Sequence, residues 1–116
     1  MKKHSYHHLH IWFRIVGLQA KRIQLIKENA PSARRLEIGK YFKDRTVSVV
    51  SFELKKGQKF DDLRAFLRTH RIPKSSYDIY ISLVTSRDND GVAVPDYVLE
   101  LYRKIGGGLG FSFVCS

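Results

Sequence analysis

The chain has little of several things: one cysteine, one tryptophan, one methionine and three prolines in 116 residues. A lone cysteine, Cys115, excludes a disulfide framework within the chain and a cysteine-based zinc cluster, and it suits a reducing compartment. Long apolar runs are missing too, and the longest fall far short of the roughly 20 residues a membrane-spanning helix needs. Met1-Lys2-Lys3-His4 opens in the manner of a secretion signal, but the polar residues after it supply no apolar stretch. A cytoplasmic protein with no membrane partner is expected.

Catalytic equipment is equally sparse. No serine sits in a Gly-x-Ser-x-Gly elbow. Cys115 is the penultimate residue, on what reads as an inward strand face, where a thiol is inert. The carboxylate pairs Asp61-Asp62 and Asp88-Asp90 are accounted for by helix-end and turn chemistry. With no nucleophile beside an oriented base, the expectation is a protein that binds without catalysing and needs no cofactor.

Acid is the scarcer charge, with 11 Asp and Glu against 21 Lys and Arg and a formal net charge of +10. The imbalance is one-sided. Residues 1–75 hold 18 Lys and Arg against 6 Asp and Glu, whereas residues 76–116 hold 3 against 5. Such a field attracts polyanions: nucleic acid, an acidic membrane surface or an acidic protein.

What is present is the patterning of one domain, residues 1–116, whose 43% hydrophobic residues can build a core. Ser5 to Val16 alternates, with Leu9, Ile11, Phe13 and Ile15 on one face and His8, His10, Trp12 and Arg14 on the other, which predicts a half-buried strand ended by Gly17. Leu18 to Asn29 reads as a short amphipathic helix around Ile23 and Ile26, stopped by Pro31. Arg35 to Phe42 is ambiguous, with an edge strand as one reading, and Lys43-Asp44-Arg45 reads as a turn. Thr46 to Lys55 has strand propensity, with a phase slip at Val49-Val50 that suggests a bulge. Lys59 to Arg71 is a helix whose apolar arc is Phe60, Leu63, Phe66 and Leu67. Tyr77 to Thr85 alternates again with Ile79, Ile81 and Leu83 inward. Pro95 opens a third helix with the stripe Val98, Leu101, Tyr102 and Ile105, capped by Gly106. Leu109, Phe111, Phe113 and Cys115 close the chain as the buried face of a last strand. The expected fold is therefore α+β. It has a ferredoxin-like β-α-β-β-α-β core, an added C-terminal α-β unit, and a mostly antiparallel sheet with helices on one face. The other sheet face is left solvated, or is the working surface.

Three patterns resemble sites and read better as structure. His4, His7, His8 and His10 could offer two imidazoles on one strand face, but no further ligand accompanies them. His70, on the apolar arc of its helix, reads as a partly buried histidine. Ser86-Arg87-Asp88-Asn89-Asp90-Gly91 has part of a calcium-loop pattern, but Ser86 and Tyr97 stand where acidic ligands are required. Gly106-Gly107-Gly108-Leu109-Gly110 follows a helix and precedes a strand, the reverse of a phosphate loop. No metal is expected.

The strongest functional signal is the basic surface. Arg64, Arg68 and Arg71 form a stripe on the second helix, Lys55, Lys56 and Lys59 precede it, and Arg34, Arg35, Lys40, Lys43 and Arg45 gather in the middle segment. Arginine's planar fork suits carboxylates and phosphates alike.

Two resemblances bear on the ligand. Leu109-Gly110-Phe111-Ser112-Phe113-Val114 is similar to the longer signature of RNA-recognition-motif domains, matching it at Gly110, Phe111, Phe113 and Val114. In that family the signature lies on the third strand, whereas here it closes the chain, so Phe111 and Phe113 are expected in the core. More of the chain, from Ile15-Val16-Gly17 through the unit Pro95 to Val114 with its Gly106-Gly107 and Leu109-Gly110-Phe111-Ser112-Phe113, resembles a family of small bacterial proteins of unknown function that includes candidate toxin-immunity proteins. That resemblance implies a protein partner, such as a toxin, and the basic surface of this chain then calls for an acidic face on that partner, with the basic residues as contacts. The alternative is a nucleic-acid-binding domain in which the same cations contact phosphates. The residues leave open the partner's identity and the oligomeric state.

Overall fold

A computed structural model of the chain describes residues 7–29, 35–41, 43–57, 60–85 and 94–115, with backbone alone for His7, His8, Thr85 and Phe113 to Cys115. Five strands and three helices follow one another as β1 (His7–Val16), α1 (Ala20–Asn29), β2 (Glu37–Lys40), β3 (Ser48–Glu53), α2 (Asp61–Thr69), β4 (Tyr77–Thr85), α3 (Asp96–Ile105) and β5 (Gly108–Cys115), with a 3₁₀ turn at Lys74–Ser76. The fold is α+β, built on one mostly antiparallel sheet of strand order β2-β3-β1-β4-β5. Only the β4–β5 pair is parallel, and α3 supplies the crossover that a parallel pair requires.

Register explains the core. Phe13 of β1 lies opposite Phe52 of β3 and Ile79 of β4, and Ile15 lies opposite Val50 and Tyr77. Every one of these is buried, and the Phe13 ring packs tilted against Phe52 at 5.4 Å and Tyr77 at 5.6 Å between centroids. Burying each such side chain contributes about 1.5–3 kcal/mol. Ile23 and Ile26 of α1, Leu63, Phe66 and Leu67 of α2, and Val98, Leu101 and Ile105 of α3 join the same cluster. All three helices thus pack on this one face.

The helices form where their stripes and ends agree. Asp61 and Asp62 occupy the first turn of α2 and Arg68 its last, each favoured by the helix dipole. Pro95 is the N-cap of α3, and its carbonyl accepts from the Val98 and Leu99 amides at 3.0 and 3.3 Å. The chain leaves α3 through Gly106 (φ 68°) and Gly107 (φ 89°). A Cβ on Gly107 would come within 2.6 Å of the Tyr77 ring, so both the backbone and the space require glycine. The Tyr77 hydroxyl donates to the Ile105 carbonyl and ties the end of α3 to the start of β4.

Two expectations are corrected, and the edge-strand reading of the ambiguous stretch is borne out. Val49 and Val50 pair in unbroken register with Val16 and Ile15, so there is no bulge; the two valines face opposite sides of the sheet. The ambiguous stretch Arg35 to Phe42 contains the edge strand β2, stabilised by pairing with β3; Phe42 itself lies outside the described residues. Leu109 and Phe111 share the helix side of the sheet with Ile79 and Ile81, yet they are 41% and 53% exposed, because no helix among the described residues covers the sheet edge there. The side chains of Phe113 and Cys115 lie outside the described ones.

Candidate functional site

The predicted basic residues separate into three places. Arg64, Arg68 and Arg71 line a groove of about 440 Å³ at the C-terminal end of α2, floored by Leu67, Ile72, Pro73 and Ile105. Lys74, from the 3₁₀ turn, and Lys104, from α3, complete it. No carboxylate is among the described residues of its lining, and none of the five cations makes an ion pair with a described residue. Lys40 and Lys43 line a larger groove of about 910 Å³ on the open sheet face, with Arg14, Glu37, Tyr41, Lys74 and Asp78. Lys74 borders both grooves. It lies across the glycine turn, where a Cβ on Gly106 would sit 3.1 Å from its Cδ. The two basic regions are therefore one band around this end of the molecule. Lys55 and Lys56 lie elsewhere, in a hollow with His10, Glu53 and Tyr97 at the opposite end of the sheet. Arg35 and Arg45 are exposed, and Arg34 and Lys59 fall outside the described residues.

The position of Arg71 is unusual. Its φ is 51°, the only positive value at a non-glycine among the described residues. The amide of Arg71 donates to the Arg68 carbonyl at 3.1 Å and that of Ile72 to the Leu67 carbonyl at 3.0 Å. This is the Schellman helix ending, in which the left-handed position is normally glycine. An arginine there costs about 1–2 kcal/mol relative to a right-handed residue, and in return its side chain is directed into the basic groove.

The β2–β3 connection presents Lys43 and Arg45 by a local device. The Thr46 amide and hydroxyl both donate to Asp44 Oδ1, at 3.0 and 2.6 Å. These bonds, the hydroxyl first, hold the Asp44 carboxyl below its ordinary value. The Tyr41 amide then closes on the Val47 carbonyl at 2.8 Å.

On the open sheet face, Arg14 Nε donates to Asp78 Oδ1 at 2.8 Å and its Nη2 to Oδ2. The hydrogen bond to Asp78 is the main cause that raises the Arg14 pKa. The guanidinium also lies 4.1 Å over the Tyr80 ring. Tyr80 leans on β5, where a Cβ at Gly110 would be 2.9 Å from its Cδ1. Farther along, His10 Nδ1 donates to Glu53 Oε2 at 2.9 Å, which is the first cause holding the Glu53 carboxyl below its ordinary value, and the His10 and Trp12 rings stack at 6.5 Å. The face is thus polar, with Asp78 and Glu53 engaged by Arg14 and His10.

Of the four N-terminal histidines only the side chain of His10 is described, and no group of three or more His, Cys, Asp or Glu among the described residues could hold a metal ion. The Ser86 to Gly91 loop lies outside the described residues. His70 is half-buried with its ring 4.5 Å from Phe66. Sequence reasoning found the α2 stripe and missed Lys74, Lys104 and the Arg14–Asp78 pair. Spacing along one element cannot reveal them: Lys74 enters from the 3₁₀ turn after α2, and Lys104 and the Arg14–Asp78 pair join across elements far apart in sequence.

Against family models, curated proteins and solved structures, the chain finds no match.

Proposed function

We propose that this protein is a non-catalytic binding module of the immunity or inhibitor kind, which neutralises a partner toxin by docking an acidic face of that partner on the basic band. The observation that carries this is the groove of Arg64, Arg68, Arg71, Lys74 and Lys104 around an apolar floor, with no carboxylate among the described residues of its lining. Carboxylates can be gripped there by guanidinium forks, while Leu67, Ile72 and Pro73 offer apolar contact at the centre. A cluster of this composition, Arg-rich around an apolar patch, is the kind that carries most of the affinity in protein interfaces. Long-range attraction from a +10 chain would speed the encounter. In the same reading the β-α-β-β-α-β part is a ferredoxin-like core, supported by antiparallel pairing of β4 with β1, β1 with β3 and β3 with β2. The α3–β5 unit extends that core beside β4.

Two features favour a protein over RNA as the partner. An RNA platform on the sheet needs accessible ring faces, but Tyr80 is capped by Arg14 and Trp12 stands opposite Glu53. Phe111 belongs to the other face, in register with Ile81.

The test is co-expression with the products of genes adjacent to its own. A neighbour that arrests growth alone, is silenced by this chain, and binds it in a complex weakened by Arg68→Glu and Lys74→Glu supports the reading. If no neighbour is toxic, and the chain binds random RNA or duplex DNA with a log–log salt slope of several units, the inhibitor reading is overturned.

A further inference from the structure

The two edges of the sheet are protected very differently. β2 is four residues long and exposed throughout, and it begins with Glu37 and ends with Lys40. Short, charged edges discourage pairing with foreign strands. β5 spans eight residues, Gly108–Cys115, and pairs with β4 from Asp78↔Gly108 to Thr85↔Cys115. Its other edge has no partner strand among the described residues. Leu109 and Phe111, on its helix side, are 41% and 53% exposed. It contains no proline and no charged residue to guard it. Soluble proteins seldom leave such an edge bare.

Charge points to what covers it. Every other described strand and helix carries at least one Asp, Glu, Lys or Arg, and β5 alone carries none. Copies of a +10 chain repel one another over most of their surface, and two copies joined at this strand would place no charge against charge along it. Antiparallel pairing of a strand with its own copy about a twofold axis is also self-complementary.

We propose that β5 is a dimer interface, pairing antiparallel with β5 of a second copy so that the two five-stranded sheets join into one. A twofold through Phe111 keeps helix-side positions opposite helix-side positions, so that Phe111 meets Phe111 of the partner subunit. Directly opposed aromatic and aliphatic pairs are the stabilising unit of such a sheet. The interface uses none of the cations of the basic band, so it stands or falls apart from the proposed function.

The experiment is sedimentation equilibrium on the full chain at about 100 μM, well above the dissociation constant of a stable dimer. The expected species has twice the 13.5 kDa chain mass. Phe111→Lys and Phe111→Glu, each with an unchanged far-ultraviolet circular dichroism spectrum, should be monomers, because each puts like charges face to face on the axis. Mixed in equal amounts, they should recover a dimer containing one of each. A monomeric wild-type chain, a dimer unaffected by either substitution, or a mixture that stays monomeric would overturn the proposal.

Discussion

At the scale of single residues, the left-handed arginine at the end of α2 separates stability from function. Glycine reaches φ 51° without the Cβ penalty that Arg71 carries. Arg71→Gly should therefore stabilise the fold by about 1 kcal/mol, raising the melting temperature by roughly 4 °C, while weakening binding of an acidic probe such as polyglutamate. A thermal melt and a binding titration on the same variant check both halves. Gly107 poses the opposite case. Gly107→Ala meets both an unfavourable φ of 89° and a Tyr77 ring 2.6 Å from the new Cβ, so a loss of about 2 kcal/mol or more is expected in chemical denaturation. Tyr77→Phe removes only the donor to the Ile105 carbonyl and should cost about 1 kcal/mol. Burial raises the Tyr77 hydroxyl pKa above its ordinary value. The folded state therefore holds that proton more tightly than the unfolded state. Its contribution is intact below the ordinary tyrosine range and lost as pH rises through the raised value, so Tyr77→Phe should flatten the alkaline limb of the stability curve.

At the scale of elements, the open sheet face is set by cross-strand pairs. Arg14 and Asp78 are directly opposite on β1 and β4 and are 37% and 27% exposed. A double-mutant cycle on Arg14→Ala and Asp78→Ala should return a coupling of about 1 kcal/mol that shrinks with added salt. Glu53 behaves as a depressed carboxylate, chiefly through His10. Its share of stability is present above the ordinary Glu range and is lost as pH falls through the lowered value; a carboxyl NMR titration of wild type against His10→Ala should show the Glu53 midpoint move upward in the variant. Elements with strict periodicity were plain in the sequence: the predicted Tyr77–Thr85 is β4, residue for residue. The helices start and stop near their Pro, Gly and charge signals because those are local effects. β2 was ambiguous because four residues, Glu37–Lys40, have no pattern of their own and depend on pairing with β3. β5 alternates as predicted, but alternation says only that two faces differ, not that a helix covers one of them.

At the scale of the whole molecule, the excess of positive charge becomes a band because Lys74 joins two grooves. Lys74→Glu should therefore weaken binding to an acidic partner more than Lys56→Glu, which changes a cation at the opposite end of the sheet. A shift of about tenfold or more in Kd is expected for the first, and little for the second, by titration calorimetry at two salt concentrations. Length, composition and periodicity by themselves determined the α+β class, the order of elements, the inward residues of β4 and, apart from Leu9, which is 38% exposed, those of β1, and the basic character, since each depends on neighbours in the chain or on simple sums over it. Only the tertiary structure decided the strand order β2-β3-β1-β4-β5, the exposure of Leu109 and Phe111, the Arg14–Asp78 pair and the joining of Arg64, Arg68 and Arg71 with Lys74 and Lys104. Except for Lys74, which follows α2 directly, these rest on contacts between segments far apart in sequence, and which segments meet is settled by how the apolar faces pack together, not by any local pattern.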